Sequence, residues 1–158
     1  MKAHDLEQKL EQALAELPVL DAHTHLVGGK LGARGLHDVL LYHMLVSDLY
    51  AAGCPNGARL TQYPGWPTEE EAHQRIQEAL PFLSLIRNTS MFWGLRLILR
   101  DLYGWEKPIT ADNWRKLDAI IRERAEDRAW QHGILDRLNI QRTVTEVARR
   151  EQGEDDDR

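Results

Sequence analysis

Three residues near the start of the chain have the types and spacing of a reactive site: Asp21, His23 and His25 in Asp-Ala-His-Thr-His. In an extended strand, residues two apart share a face, so all three would line one side and the two imidazoles would reach one cation. Neutral imidazole is a good ligand for zinc and other borderline metals, so the expected cofactor is a divalent ion, zinc before others. His-x-His is also a common pattern with no metal role, so the spacing alone leaves a structural reading open. Arg34, in the glycine-containing loop that follows, carries a planar fork suited to a substrate carboxylate, although loop arginines are often simply solvated. His43 is a weaker third candidate, because a lone histidine on an apolar helix is commonly a hydrogen-bonded core residue. His37 and His73, beside acidic or polar neighbours, read as surface residues.

The elements that must hold these residues follow from periodicity. Leu6, Leu10, Ala13, Leu14 and Leu17 recur at helical spacing, describing an amphipathic helix that Pro18 stops. Pro18 to His25 has no helical period and runs into glycines, which fits a buried strand. Gly35 to Ala52 is apolar on most faces and ends at Gly53, so one largely buried helix is expected. Residues 54–67 hold prolines and glycines and read as an irregular loop carrying Trp66. Thr68 and Glu71 match a capping box for a helix reaching about Leu80. Asn88 to Tyr103 is a further helix with Leu95, Leu99 and Leu102 on one stripe, closed by Gly104. Thr110 is the expected cap of another through Trp114, Leu117, Ile120 and Ile121. Gly133 to Asn139 reads as a helical turn, and Ile140 to Val147 alternates like a second strand. Trp93, Trp105, Trp114 and Trp130 are expected to pack. Arg122 to Arg128 reads as a solvated mixed-charge face.

Two strands joined by a long helical crossover make one parallel unit, and parallel sheets are normally covered on both faces and extended by more strands. The fold class expected is α/β: the N-terminal portion of a (β/α)8 barrel, mostly helical, with a large helical insertion between strands 1 and 2. The partial barrel domain would occupy 1–150, its insertion about 35–135, and 151–158 would be an acidic tail.

The strand-end histidine pair, set where parallel folds place their active sites, resembles the first-strand metal motif of the amidohydrolase superfamily. More of the chain resembles one branch of it, the uronate (glucuronate) isomerases. LPVLDAHTHL is similar to that family's first strand, and the helical stretch after it to the family's elaboration between strands one and two. His43 stands where the family has an active-site histidine. Asn88, Trp93, Arg100 and the Tyr103-Gly104 helix end look like its next helix. Residues 134–140 with Thr143-Val-Thr resemble the approach to its second strand. The resemblance implies aldose–ketose interconversion of a hexuronate, a small sugar-acid substrate, with His23 and His25 as metal ligands and His43 as the catalytic group. Met44 departs from the family's tyrosine, and a thioether cannot move a proton. That departure favours the alternative of metal-assisted hydrolysis by the same superfamily fold. A non-catalytic helical binding module is the third reading. Because later strands of a barrel do not fit in this length, the expectation is a fragment of a longer enzyme.

Composition bounds the rest. The 158 residues carry 20 Lys and Arg against 25 Asp and Glu, a formal charge of −5. No net positive field draws the chain to nucleic acid or anionic lipid, so neither is an expected partner. No apolar run approaches the roughly 18 residues of a membrane span. One cysteine, Cys54, forms no internal disulfide, and a cytoplasmic location is the expectation. Uncovered strand edges would favour association of copies into a homo-oligomer.

Overall fold

A computed structural model describes residues 3–24, 32–55 and 68–145. They fall into two compact units, within the spans Met1–Gly32 plus Asp127–Arg158, and Ala33–Glu126. The described residues are mostly helical with one small parallel sheet, in keeping with the α/β class.

The first unit contains helix α1 (Ala3–Ala15), strand β1 (Val19–Thr24), helix α7 (Arg128–Arg137) and strand β2 (Ile140–Thr145). As the crossover rule predicts, β1 and β2 pair in parallel. The backbone amide of Val19 donates to Asn139 O at 2.8 Å, and the Asn139 side-chain Nδ2 donates to Glu16 O at 3.3 Å. Asn139 itself is left-handed at φ 51°, a conformation asparagine tolerates. It turns the chain out of α7, which packs on β2.

The cap of α7 is Asp127, whose carboxylate accepts from the Trp130 amide at 2.9 Å. That cap starts the helix five residues before the turn expected at Gly133, because it satisfies amides that glycine placement alone does not reveal.

The pairing between the strands is irregular. From Asp21↔Thr143 to Thr24↔Thr145, β1 advances three residues against two. An extra residue therefore sits in β1 at Ala22 or His23, a bulge of the kind that re-aims side chains. The simple two-residue repeat does not carry across this step.

The first unit departs from expectation in burial. Leu20 is 62% exposed and Val19 40%, so β1 is not the buried strand its apolar run suggests. Leu6, Leu10 and Leu14 on α1, and Leu17 just after it, are likewise exposed. Helical spacing specifies which face a helix can bury, not that a partner lies against it.

The second unit holds α2 (Leu36–Leu40), α3 (His43–Ala51), α4 (Glu69–Ala79), a 3₁₀ turn at Leu80–Phe82, α5 (Ser90–Tyr103) and α6 (Trp114–Ala125). The single helix expected over Gly35 to Ala52 is thus two, broken where Tyr42 turns extended at φ −98°, ψ 136°. The break redirects the chain: α2 packs on α4 and α6, whereas α3 packs on α5.

Local chemistry explains the other boundaries. Thr68 Oγ1 accepts from the Glu71 amide at 3.2 Å, and Glu71 Oε2 accepts from the Thr68 amide at 2.8 Å, the reciprocal box expected. Thr89 caps α5 by accepting from the Phe92 amide, and Gly104 ends it at φ 64°. The start of α6 differs from the expected Thr110 cap. Asn113 is at its N-cap, with Oδ1 accepting from the Thr110 amide at 2.9 Å and Nδ2 donating to Pro108 O at 2.9 Å.

The core is a single cluster built on Leu36, Leu40, Leu49, Ile76, Leu117 and Trp114, with Cys54 buried among them. Trp114 is 1% exposed, as expected of a packing residue, whereas Trp93 is 65% exposed and does not pack. Trp66 and the acidic tail lie outside the described residues.

Candidate functional site

Of the residues singled out for metal and substrate, His23 lies on β1 in the first unit, and Arg34 and His43 belong to the second. His25 is outside the described residues. His43 is the first residue of α3, directly after the extended Tyr42. Among the described residues, no three His, Cys, Asp or Glu side chains gather as a metal cage.

Arg34 is engaged within its own segment. Its Nε donates to Asp38 Oδ2 at 2.7 Å and its Nη2 to Oδ1 at 2.6 Å, and its backbone amide donates to the same Oδ2 at 2.8 Å. The bidentate geometry anticipated for a substrate carboxylate is therefore taken up by the Asp38 side chain. Burial would raise the Asp38 pKa, but the Arg34 fork and amide outweigh it and hold the carboxyl below its ordinary value.

A second carboxylate organises the unit. Asp118, 3% exposed, accepts from the Leu36 amide at 2.7 Å, from Arg122 Nε at 2.7 Å and pairs with His73 Nε2 at 3.0 Å. Burial pushes its pKa up, yet these donors, Arg122 first, hold it below the carboxylate norm. One side chain thereby ties the first turn of α2 to α4 and α6.

Gly35 makes this approach possible. A methyl group there would lie 2.8 Å from Asp118 Oδ1, 3.1 Å from His37 Nδ1 and 3.4 Å from Arg122 Cζ. Its backbone is ordinary extended chain, so the requirement is space rather than conformation.

His37 and His73 are not the surface residues their neighbours suggest. The His37 side chain is 10% exposed and that of His73 20%. His37 Nε2 lies 3.3 Å from Asp38 Oδ1, but neither ring nitrogen has a hydrogen-bond partner among the described residues. Burial, against the pull of Asp38 and with the push of Arg34 and Arg122, lowers its pKa below 6.5. Arg122 Nη2 is also buried without a hydrogen-bond partner, so Arg122 does not belong to a wholly solvated charged face. Nearby, burial pushes the Tyr103 hydroxyl up to about 12.

An imidazole oriented by a buried aspartate is the arrangement of many general bases. Here both ring nitrogens of His73 are occupied. Nε2 faces Asp118, and Nδ1 lies 3.4 Å from Arg115 Nη1, so its lone pair meets a guanidinium instead of an open site. The ring also stands edge-on to Trp114 at 5.0 Å, with Arg115 4.5 Å over the same indole. The cluster is a clamp holding α2, α4 and α6 together. Its signal was present in the sequence: Asp118 interrupts the apolar stripe Trp114, Leu117, Ile121, Ala125, with Arg122 four residues on.

No protein-family model matches the chain, and no curated protein matches it. No helix among the described residues is long and apolar enough to cross a membrane.

Proposed function

We propose that the chain is the first part of a metal-dependent (β/α)8 enzyme similar to the uronate isomerases, acting on a hexuronate. The observation that supports this most is the sheet. Two parallel strands are joined by a helical crossover, with Val19, Leu20 and Val144 left 40%, 62% and 52% exposed. Parallel strands are ordinarily covered on both faces, so a pair with open apolar residues suits the beginning of a larger sheet.

The donor chemistry is of the right type. His23 and His25, two residues apart in the sequence, supply two imidazoles, half of a typical four-ligand set. They would hold the divalent ion, which when bound polarises and orients substrate oxygens. His43 serves hydrogen bonding or proton transfer to the substrate. Arg34 contributes to carboxylate recognition by exchanging Asp38 for the sugar acid.

Met44, 53% exposed beside His43, supports a second reading within the same superfamily, metal-assisted hydrolysis of an ester, amide or lactone. Product identity separates the two: a carbonyl isomer of unchanged mass, or a water-added cleavage product.

The test is metal content and D-glucuronate isomerisation by the full-length gene product, with and without His23→Ala and His25→Ala together. Loss of the bound metal and a fall in rate beyond roughly 100-fold are expected, since even outer-sphere partners of a metal are worth 10–100-fold. Wild-type metal content and rate in the double variant would overturn the reading.

A further inference from the structure

The second unit contains a cavity of about 360 Å³ that none of the residues considered so far explains. Its apolar floor comes from Leu83, Phe92, Leu95, Leu99, Trp105 and Ile109. Leu83, Leu95 and Leu99 are each at most 5% exposed, and Phe92, Trp105 and Ile109 pack partly buried against the core.

One wall is irregular chain fixed in place before any ligand arrives. The Trp105 amide donates to Leu99 O at 2.9 Å, and Asn113 bonds both the Thr110 amide and Pro108 O, each at 2.9 Å. A cavity pre-formed in this way costs little ordering on binding.

The rim is cationic, unlike the chain as a whole. Arg87 before α5, Arg96 on α5 and Lys107 on the wall line it against one carboxylate, Glu106. Three positive groups less one negative give +2 among the residues that line the cavity, on a protein whose formal charge is −5. None of the three cations forms an ion pair among the described residues. Trp105, which lines the cavity, also has a buried indole N–H with no hydrogen-bond partner there.

We propose that this cavity binds an amphipathic monocarboxylate, its apolar chain among the leucines and aromatic rings and its carboxylate at Arg96 and Lys107. The volume lies at the small end of the roughly 300–1,000 Å³ typical of small-molecule sites and suits a chain of about ten carbons. Charge complementarity selects an acid over a neutral lipid of equal length. The cavity is lined by residues of the second unit alone and does not depend on the reading given to His23 and His25.

The test uses decanoate below its micelle concentration, with 1-decanol as the uncharged analogue. Calorimetry is run on the intact chain and on a variant carrying Arg96→Gln with Lys107→Gln, both exposed positions. Decanoate is expected to bind saturably, with amide and indole shifts centred on Leu95, Leu99 and Trp105. Decanol is expected to bind about tenfold more weakly, and the double variant to lose about tenfold for decanoate alone. If the double variant does not fold, Arg96→Gln by itself carries the same comparison. No saturable decanoate binding, equal affinity for acid and alcohol, or an unaffected variant would each overturn the proposal. So would shifts confined to the exposed leucines of α1, or binding of an acidic helical peptide where decanoate does not bind.

Discussion

Asp118→Asn is the substitution that most directly tests the clamp of the second unit. The carboxylate accepts from the Leu36 amide, Arg122 Nε and His73 Nε2, all within 3.0 Å, and its side chain is 4% exposed. Asparagine keeps the shape and one acceptor oxygen but turns an NH₂ group toward groups that are themselves donors. It also removes the charge opposing a guanidinium whose Nη2 is already buried without a hydrogen-bond partner. Hydrogen bonds to a charged group are worth about 1.5–3 kcal/mol each, and breaking a buried pair from one side costs about 3–5 kcal/mol. Arg122 is one-third exposed and His73 one-fifth, so both recover some hydration after the change. The expected loss is therefore about 2–4 kcal/mol, a large share of the 5–15 kcal/mol that holds a typical domain together. Urea unfolding followed by circular dichroism reads it as a midpoint lowered by about 1–2 M at an ordinary slope. A cycle with Arg122→Gln should show coupling of at least about 0.5 kcal/mol, since the two side chains share one hydrogen bond. A loss below about 0.5 kcal/mol with no coupling would refute the assignment of Asp118 as the organising group.

Two glycines make opposite predictions. Gly35→Ala forces a methyl group to 2.8 Å from Asp118 Oδ1 and should destabilise by about 1–3 kcal/mol. Gly94→Ala, inside α5 with no atom within 4 Å of the new methyl, should stabilise by about 0.5–1 kcal/mol; thermal melts that fail to separate the two would contradict the packing described. For His37 the folded pKa lies below the ordinary 6.5, so its contribution is full above 6.5 and is lost as pH falls below it toward the folded value. Wild type should therefore lose stability relative to His37→Gln across that interval, and a constant difference above and below 6.5 would count against it. Asp38 and Asp118, both held below 3.8, contribute stability that is present above 3.8 and disappears as pH falls through their lower folded values.

The sequence by itself determined the elements whose signals are local. Thr68 and Glu71 cap α4, Gly104 ends α5, and Leu95 and Leu99 face the core, because capping and helical spacing act within a few residues. The parallel partnership of β1 and β2 was also legible, since the long helical connection between them is the kind that a parallel pair requires. Tertiary structure decided what depends on distant partners. Gly35 to Ala52 became two helices because α2 and α3 meet different neighbours, and the leucines of α1 with Val19 and Leu20 of β1 stayed exposed because periodicity names a face without supplying its cover. The bulge in β1 falls at the step containing His23, and no local rule places it there. Arg34 reads as a free fork in sequence and is held by Asp38 four residues later once α2 begins at Leu36. His73, polar by neighbourhood, is held by the Asp118 carboxylate 45 residues beyond it, and His37, equally polar by neighbourhood, has a side chain only 10% exposed beside Asp38. A buried charge is stable only where its partners converge, and that convergence belongs to the packed helices rather than to any stretch of sequence.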